Sequence, residues 1–202
     1  SGSFSDDVTT VQALVPDLVS AVRAFQADSR FGVASFVDKP LSPFGDSADY
    51  VYRTDLALSA DQAALQSTIN GLQVLGGNDT PEAQIEALMQ LALRTTETGY
   101  RTDAMRVAVL MTDAPYHVAG DHSSAPANDG DTELEGSPAG TGEDYPALAQ
   151  LKAALESANI VPVFAVTSDV LASYQSLVST LGRGVVVPLS SNSSDLVNSL
   201  TL

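Results

Sequence analysis

The chain has 202 residues, with 25 Asp plus Glu against 9 Lys plus Arg, a formal charge of −16 with both histidines neutral. Phosphate binding is driven by clustered Lys and Arg that release counterions, so this balance argues against a nucleic-acid surface. At 44% hydrophobic residues the chain is too apolar for an acidic disordered tail and long enough to bury one core, which predicts a single domain over residues 1–202.

In chain order, Val8, Val11, Leu14, Val15, Leu18, Val19, Val22 and Phe25 recur at three- and four-residue steps and predict an amphipathic helix over residues 7–26, capped by Ser5 or Asp6. Pro16 in its middle deletes a backbone donor and clashes with the preceding turn, so a kink or two abutting helices are expected there. Residues 31–37 read as a buried strand and 50–58 as another. Between them Pro40, Pro43 and Gly45 mark a loop. A short helix over 61–72 follows, then the turn Gly76-Gly77-Asn78-Asp79-Thr80 and a helix that starts at Pro81-Glu82, where proline's missing N–H costs nothing, and runs to about Thr95. A strand over 105–111 ends just before Asp113, and 119–143 has the Gly, Asp, Ser and Pro content of a long surface loop. Helices over 145–158, 169–181 and 194–202 alternate with strands over 160–166 and 185–189.

Alternating helices and strands, with strands too apolar for a half-wet sheet, predict an α/β fold: a doubly wound, mainly parallel sheet with helices on both faces. Ligands of such folds sit beyond the C-terminal ends of strands. The first helix has no strand feeding it, so a central strand is expected to be missing.

No apolar run approaches the roughly 20 residues that cross a bilayer, so no membrane insertion of this domain is expected. The absence of cysteine excludes disulfides, thiolate zinc sites and thiol nucleophiles. Enzyme signatures come up empty as well. The two lysines, Lys39 and Lys152, end no phosphate loop, and there is no Gly-x-Ser-x-Gly elbow or paired-histidine zinc helix. His117 and His122 suggest a metal or a general base, but in a Gly/Asp/Ser loop the simpler reading is solvated or locally bonded histidines. Asn128-Asp129-Gly130-Asp131-Thr132-Glu133 resembles a calcium loop yet lacks the full EF-hand spacing and its closing Glu, which favours a plain acidic turn.

A distributed set carries more. Ser1, Ser3, Asp6 and Asp7 stand at the start of the first helix, Asp79 and Glu82 flank the start of another, and Asp113 ends a strand. A doubly wound sheet brings these groups to one edge. Carboxylates about 4 Å apart repel by about 4 kcal/mol per pair at an effective dielectric of about 20, so such a set calls for a cation. Hydroxyl and carboxylate ligands suit Mg²⁺, Ca²⁺ or Mn²⁺ better than zinc. Helix capping is the alternative, since Ser and Asp stabilise helix starts without any metal.

Several runs have the order of landmarks of one family: Phe31-Gly32-Val33-Ala34-Ser35-Phe36-Val37-Asp38-Lys39-Pro40, Asn78-Asp79-Thr80-Pro81-Glu82, Thr112-Asp113-Ala114, Asp144-Tyr145-Pro146, Phe164-Ala165-Val166-Thr167 and Leu189-Ser190-Ser191-Asn192. Over nearly its whole length the chain resembles the von Willebrand factor A-like domain inserted in integrin β subunits. The resemblance implies a metal-ion-dependent adhesion site at Ser1, Ser3, Glu82 and Asp113, with the motif aspartate two residues upstream of Ser1. It implies an adjacent calcium site at the Ser3 and Ser191 carbonyls, Asp6 and Asp7. A second flanking site is implied at Asp79, the Pro81 carbonyl and Glu82, whose asparagine falls at Gly77 by strict register with Asn78 one residue off. The early aspartate of that site has no sure counterpart among Asp46 and Asp49. Pro16 falls near the break at which the family's first helix switches conformation, and the disulfide-closed specificity loop of integrins is reduced here to residues 43–50.

The resemblance implies a non-enzymatic adhesion or protein-binding module. Its Mg²⁺ or Mn²⁺, supported by Ca²⁺, would accept an Asp or Glu carboxylate from a protein or other ligand. The domain would be flanked by others in an exported or cell-surface protein, expected to be prokaryotic. The rival is a von Willebrand A subunit of an intracellular metal-chelatase or ATPase assembly.

Overall fold

Residues 5–190 are described by the structure, a computed structural model, so Ser1, Ser3, Ser191 and the expected helix over 194–202 lie outside the described residues. The chain opens with helix α1 (Ser5–Phe25) and a short strand β1 (Phe31–Ser35), which pairs antiparallel with β2 (Arg53–Ser59). Helices α2 (Gln62–Asn70) and α3 (Gln84–Leu93) lead to strand β3 (Arg106–Thr112). After the long loop come α4 (Leu148–Ala158), β4 (Ile160–Thr167), α5 (Leu171–Leu181) and β5 (Val185–Leu189). Strands β3, β4 and β5 are parallel in that order, with Arg106 opposite Ile160 and Val163 opposite Val185.

Alternate side chains of the parallel strands point to opposite faces, and each face is covered by helices. Ala108, Leu110, Ile160, Phe164 and Val166 turn toward Leu88, Leu155 and Leu177 of α3, α4 and α5. Met111, Ala165 and Leu189 turn toward Val11, Val15 and Val19 of α1 and Leu65 and Ile69 of α2. The predicted doubly wound layering is therefore present. The sheet, however, is divided: among the described residues β1–β2 and β3–β4–β5 are separate, and a cavity of about 420 Å³ lies between them, lined by Val33 and Ala34, Val107 and Val109, Val11 and Leu88.

Three local expectations are corrected. Of the two outcomes expected at Pro16, the pair of abutting helices does not form: α1 runs through it as one element. Proline removes the N–H that would reach the Gln12 carbonyl four residues back. That carbonyl instead accepts the Gln66 side-chain amide of α2 at 2.9 Å, while Gln12 Nε2 donates to the Ile69 carbonyl at 3.1 Å, so α2 satisfies what Pro16 leaves open. Phe25, the last residue of the predicted stripe, is exposed.

The second correction concerns α3, which begins at Gln84 and not at Pro81-Glu82. The backbone of Glu82 is engaged elsewhere: its N–H donates to the Pro115 carbonyl at 3.0 Å and its carbonyl accepts the His117 N–H at 3.0 Å. Ala83 N–H donates to the Val37 carbonyl at 3.0 Å, which ties the stretch just after β1 to the turn before α3. Third, α4 starts at Leu148, because the Asp144 carboxylate holds the N–H groups of Tyr145, His122 and Gly120 in a loop knot just before it. Helix α2 does begin where Asp61 predicts, its Oδ1 accepting from Ala63 N and Ala64 N at 2.9 and 3.0 Å.

Candidate metal centre

Three segments converge beyond the strand ends: Asp38 after β1, the turn 78–83, and 113–117 after β3. Asp38 has no solvent exposure. Its Oδ1 accepts from Lys39 N at 2.7 Å and from the Tyr145 hydroxyl, whereas its buried Oδ2 has no hydrogen-bond partner and faces His117 Nε2 at 3.5 Å. His117 Nε2 is also 3.2 Å from Asp79 Oδ2, and Nδ1 is 2.8 Å from Asp121 Oδ2. The imidazole stacks on the Tyr145 ring at 4.4 Å, with the Phe44 edge at 5.2 Å. With Nδ1 donating to Asp121, Nε2 either donates as part of an imidazolium or offers a lone pair to a cation.

The oxygens of Asp38 and Asp79 and a nitrogen of His117 lie within 4.8 Å of one another. Ligand atoms at about 2.0–2.6 Å from a cation are at most about 4–5 Å apart, so one ion can touch all three. Two carboxylates and an imidazole suit Mn²⁺ or a later divalent metal, whereas Ca²⁺ would use the carboxylate oxygens without the imidazole. The orphaned, fully buried Asp38 Oδ2 supports that fit, since a buried polar atom without a partner costs free energy that a cation would recover.

Glu82 is buried against the same corner. Burial, with the charges of Asp38, Asp49 and Asp79, pushes its carboxyl up to about 8. Asp38 is likewise pushed up, to about 6, by burial, which the Tyr145 hydroxyl and the Lys39 N–H oppose. A divalent ion would reverse both shifts by favouring the carboxylates. Gly77 lies against Glu82: a Cβ there would fall 3.0 Å from Oε2, so position 77 faces the carboxylate, while Asn78 turns away and donates to Asp46 Oδ1 at 3.2 Å. Pro81 lies between Asp79 and Glu82 in the same turn.

Asp113 is half-buried in a backbone held on both sides, with Gln84 Nε2 donating to Thr112 Oγ1 at 3.1 Å and to the Ala114 carbonyl at 3.3 Å. Among the described residues it is not one of the atoms that converge with Asp38 and His117. Asp6 and Asp7 lie in the first turn of α1, and Ser1, Ser3 and Ser191 are outside the described residues.

Sequence reasoning missed Asp38 and ranked a metal role for His117 second. Asp38 follows a strand as Asp113 does, and that shared position was the available signal. Both histidines are locally bonded, His117 to Asp121 and His122 to Ser124, but neither is solvated: His117 is buried among rings and carboxylates, and His122, also buried, meets Phe44 edge-on at 5.3 Å.

The family model described as the integrin beta chain VWA domain matches residues 1–201, and the chain belongs to that family. It is 32% identical to integrin beta-2 of Sus scrofa over 220 residues, covering 98% of this chain and 28% of the relative. It is 31% identical to integrin beta-1-B of Xenopus laevis and 30% identical to integrin beta-1 of Gallus gallus, each over 98% of this chain and 27% of the relative. The chain thus spans little more than a quarter of the length of these relatives. No helix among the described residues is long and apolar enough to cross a membrane.

Proposed function

We propose that this domain is a divalent-cation-dependent adhesion module that binds an Asp or Glu side chain of a protein or other ligand. The observation that carries the reading is the convergence of Asp38, Asp79 and His117, with an orphaned carboxylate oxygen, beside buried Glu82. At Ser1, Ser3, Glu82 and Asp113, Mg²⁺ or Mn²⁺ would act as an electrophile for a ligand carboxylate, with Ca²⁺ at the flanking sites. Asp6, Asp7 and the Ser3 and Ser191 carbonyls would hold one flanking Ca²⁺, and Asp79, the Pro81 carbonyl and Glu82 the other, with Asp38 as its early aspartate and position 77 in place of Asn78. The chain's own residues fix the turn: Glu82 is pinned by backbone bonds to 115–117, and Asp38 is oriented by Tyr145.

The same reading includes one further apolar strand, upstream of Ser1, filling the cavity between β1 and β3. Supporting it are the two edges that stay unpaired among the described residues, and Val107 and Val109, which stay 41% and 44% exposed while Ala108, Leu110 and Thr112 of the same strand are buried. A chain extended upstream is expected to melt higher than residues 1–202. The flanking domains of a cell-surface protein fit the share of the relatives that this chain spans. Membership of the integrin family favours adhesion over a chelatase or ATPase subunit, which would share the metal site.

Calorimetric titration of the extended chain with MgCl₂, MnCl₂ and CaCl₂ tests the proposal. Uptake of fewer ions by Glu82→Gln and Asp79→Asn than by wild type supports it, together with metal-dependent capture of the chain by an immobilised Asp-bearing peptide. Absence of uptake removes it.

A further inference from the structure

A second carboxylate group lies apart from Asp38, in the long 119–143 loop. Asp129, Glu135 and Glu143 each offer an oxygen, and the three atoms lie within 4.8 Å of one another. Glu143 is only 3% exposed, and Glu135 Oε2 is buried with no hydrogen-bond partner. Behind them is Glu86 of α3, which has no solvent exposure. Its Oε2 meets Lys39 Nζ at 3.0 Å, while its Oε1 is buried with no hydrogen-bond partner. Burial first, and then the charges of Glu86 and Glu135, push the Glu143 carboxyl up to about 8, and Glu135 likewise raises Glu86.

The charges at this place do not balance. Lys39 Nζ is committed to Glu86 and to the Gly140 carbonyl at 2.7 Å, so it offsets Glu86 and leaves three loop carboxylates without a directly bonded cation among the described residues. Two remedies exist, a proton shared between Glu135 and Glu143 or a metal ion. Oxygens that coordinate Ca²⁺ at about 2.3–2.6 Å are at most about 4.6–5.2 Å apart, which the observed spacing meets. Asp129 is exposed, so water can complete the six to eight oxygens that Ca²⁺ takes, whereas the compact octahedron of Mg²⁺ is a poorer match to an irregular loop. With no nitrogen or sulfur in the set, later transition metals are disfavoured.

We propose that Asp129, Glu135 and Glu143 form a calcium site, with the Lys39–Glu86 pair as its inner wall. The Asn128-to-Glu133 run, which resembles a calcium loop in sequence, is only partly used. Asn128, Asp129 and Asp131 each accept through Oδ1 from the N–H two residues on, at 3.0, 3.1 and 2.6 Å, and of the three only the Asp129 carboxylate also converges with Glu135 and Glu143. Tertiary folding brings Glu135 and Glu143 to Asp129 where sequence spacing supplied no closing Glu. An ion there clamps the loop from 129 to 143, immediately before Asp144 and Tyr145, the residues that knot the loop and orient Asp38.

The test is calorimetric titration with CaCl₂ alone, together with melting curves with and without CaCl₂, on wild type, Glu143→Gln and Asp129→Asn. Glu143→Gln is expected to bind one Ca²⁺ fewer than wild type, and Asp129→Asn to weaken the same site by roughly tenfold or more. Asp79→Asn should keep this ion, which separates it from the Asp38 site. If Glu143→Gln fails to fold, the exposed Asp129→Asn still decides the matter. Unchanged stoichiometry and affinity in the folded variants overturn the site. So does a melting temperature of Asp79→Asn that does not respond to CaCl₂ at pH 8, the behaviour of a shared proton.

Discussion

Asp38 and Lys39 are neighbours at the end of the first strand segment, yet their side chains enter two differently built charged regions. Around Asp38 the partners are a tyrosine hydroxyl, a backbone N–H and a histidine held between carboxylates. Around Lys39 a single amine stands against Glu86, with Glu135 and Glu143 close by. The first region rests on backbone pairing between strand ends, and the second is hung on a loop. Burial is tolerated in both, but in the first it is offset by several fixed donors and in the second largely by one ion pair, so the two should fail differently.

The largest expected effect is at Lys39. Lys39→Met removes the partner of a fully buried carboxylate and should cost about 3–5 kcal/mol in a urea unfolding curve. In the other region Tyr145→Phe removes one of two donors to Asp38 Oδ1 and should cost about 1–3 kcal/mol, with the Lys39 N–H still in place. A Tyr145→Phe loss as large as that of Lys39→Met would erase the contrast between the regions.

A pH series probes both at once. Burial raises Asp38 to about 6, Glu86 to about 7, and Glu82 and Glu143 to about 8, all above their ordinary values of 3.8 or 4.5. The folded protein therefore holds protons more tightly than the unfolded chain, and the stabilisation that this gives is complete at acid pH and lost as pH rises through the folded values. In EDTA the melting temperature should fall between about pH 5.5 and about pH 8.5, and saturating CaCl₂ should flatten that slope. A metal-free curve that rises over this range would contradict the burial of these groups as acids. The smallest effect belongs away from both regions, at the proline: Gln66→Ala leaves the Gln12 carbonyl without its donor and should cost about 1 kcal/mol.

Some of the site was legible and some was not, for identifiable reasons. Glu82, Asp79 and Asp113 follow turns and strand ends, where the fold class directs attention, and the same rule applied to residue 38 would have found Asp38. The start of α3 was misread because Pro81-Glu82 carries a good local helix signal, which is overridden by backbone partners at 115 and 117 distant in sequence. His117 and the Glu135–Glu143 pair sit in stretches whose composition is that of a solvated loop, and composition carries no record of what folds over it.

Local periodicity determined the helices, the apolar strands and the layered α/β arrangement, since these follow from which side chains must leave water within a few residues of chain. Family membership was legible in the same way, through short runs in a fixed order. Which of the 25 acidic residues are buried together was settled by long-range packing alone. Carboxylates at 38, 79 and 82, or at 86, 129, 135 and 143, become neighbours only when strand ends and loop meet, and electrostatic coupling depends on distance in space, not along the chain.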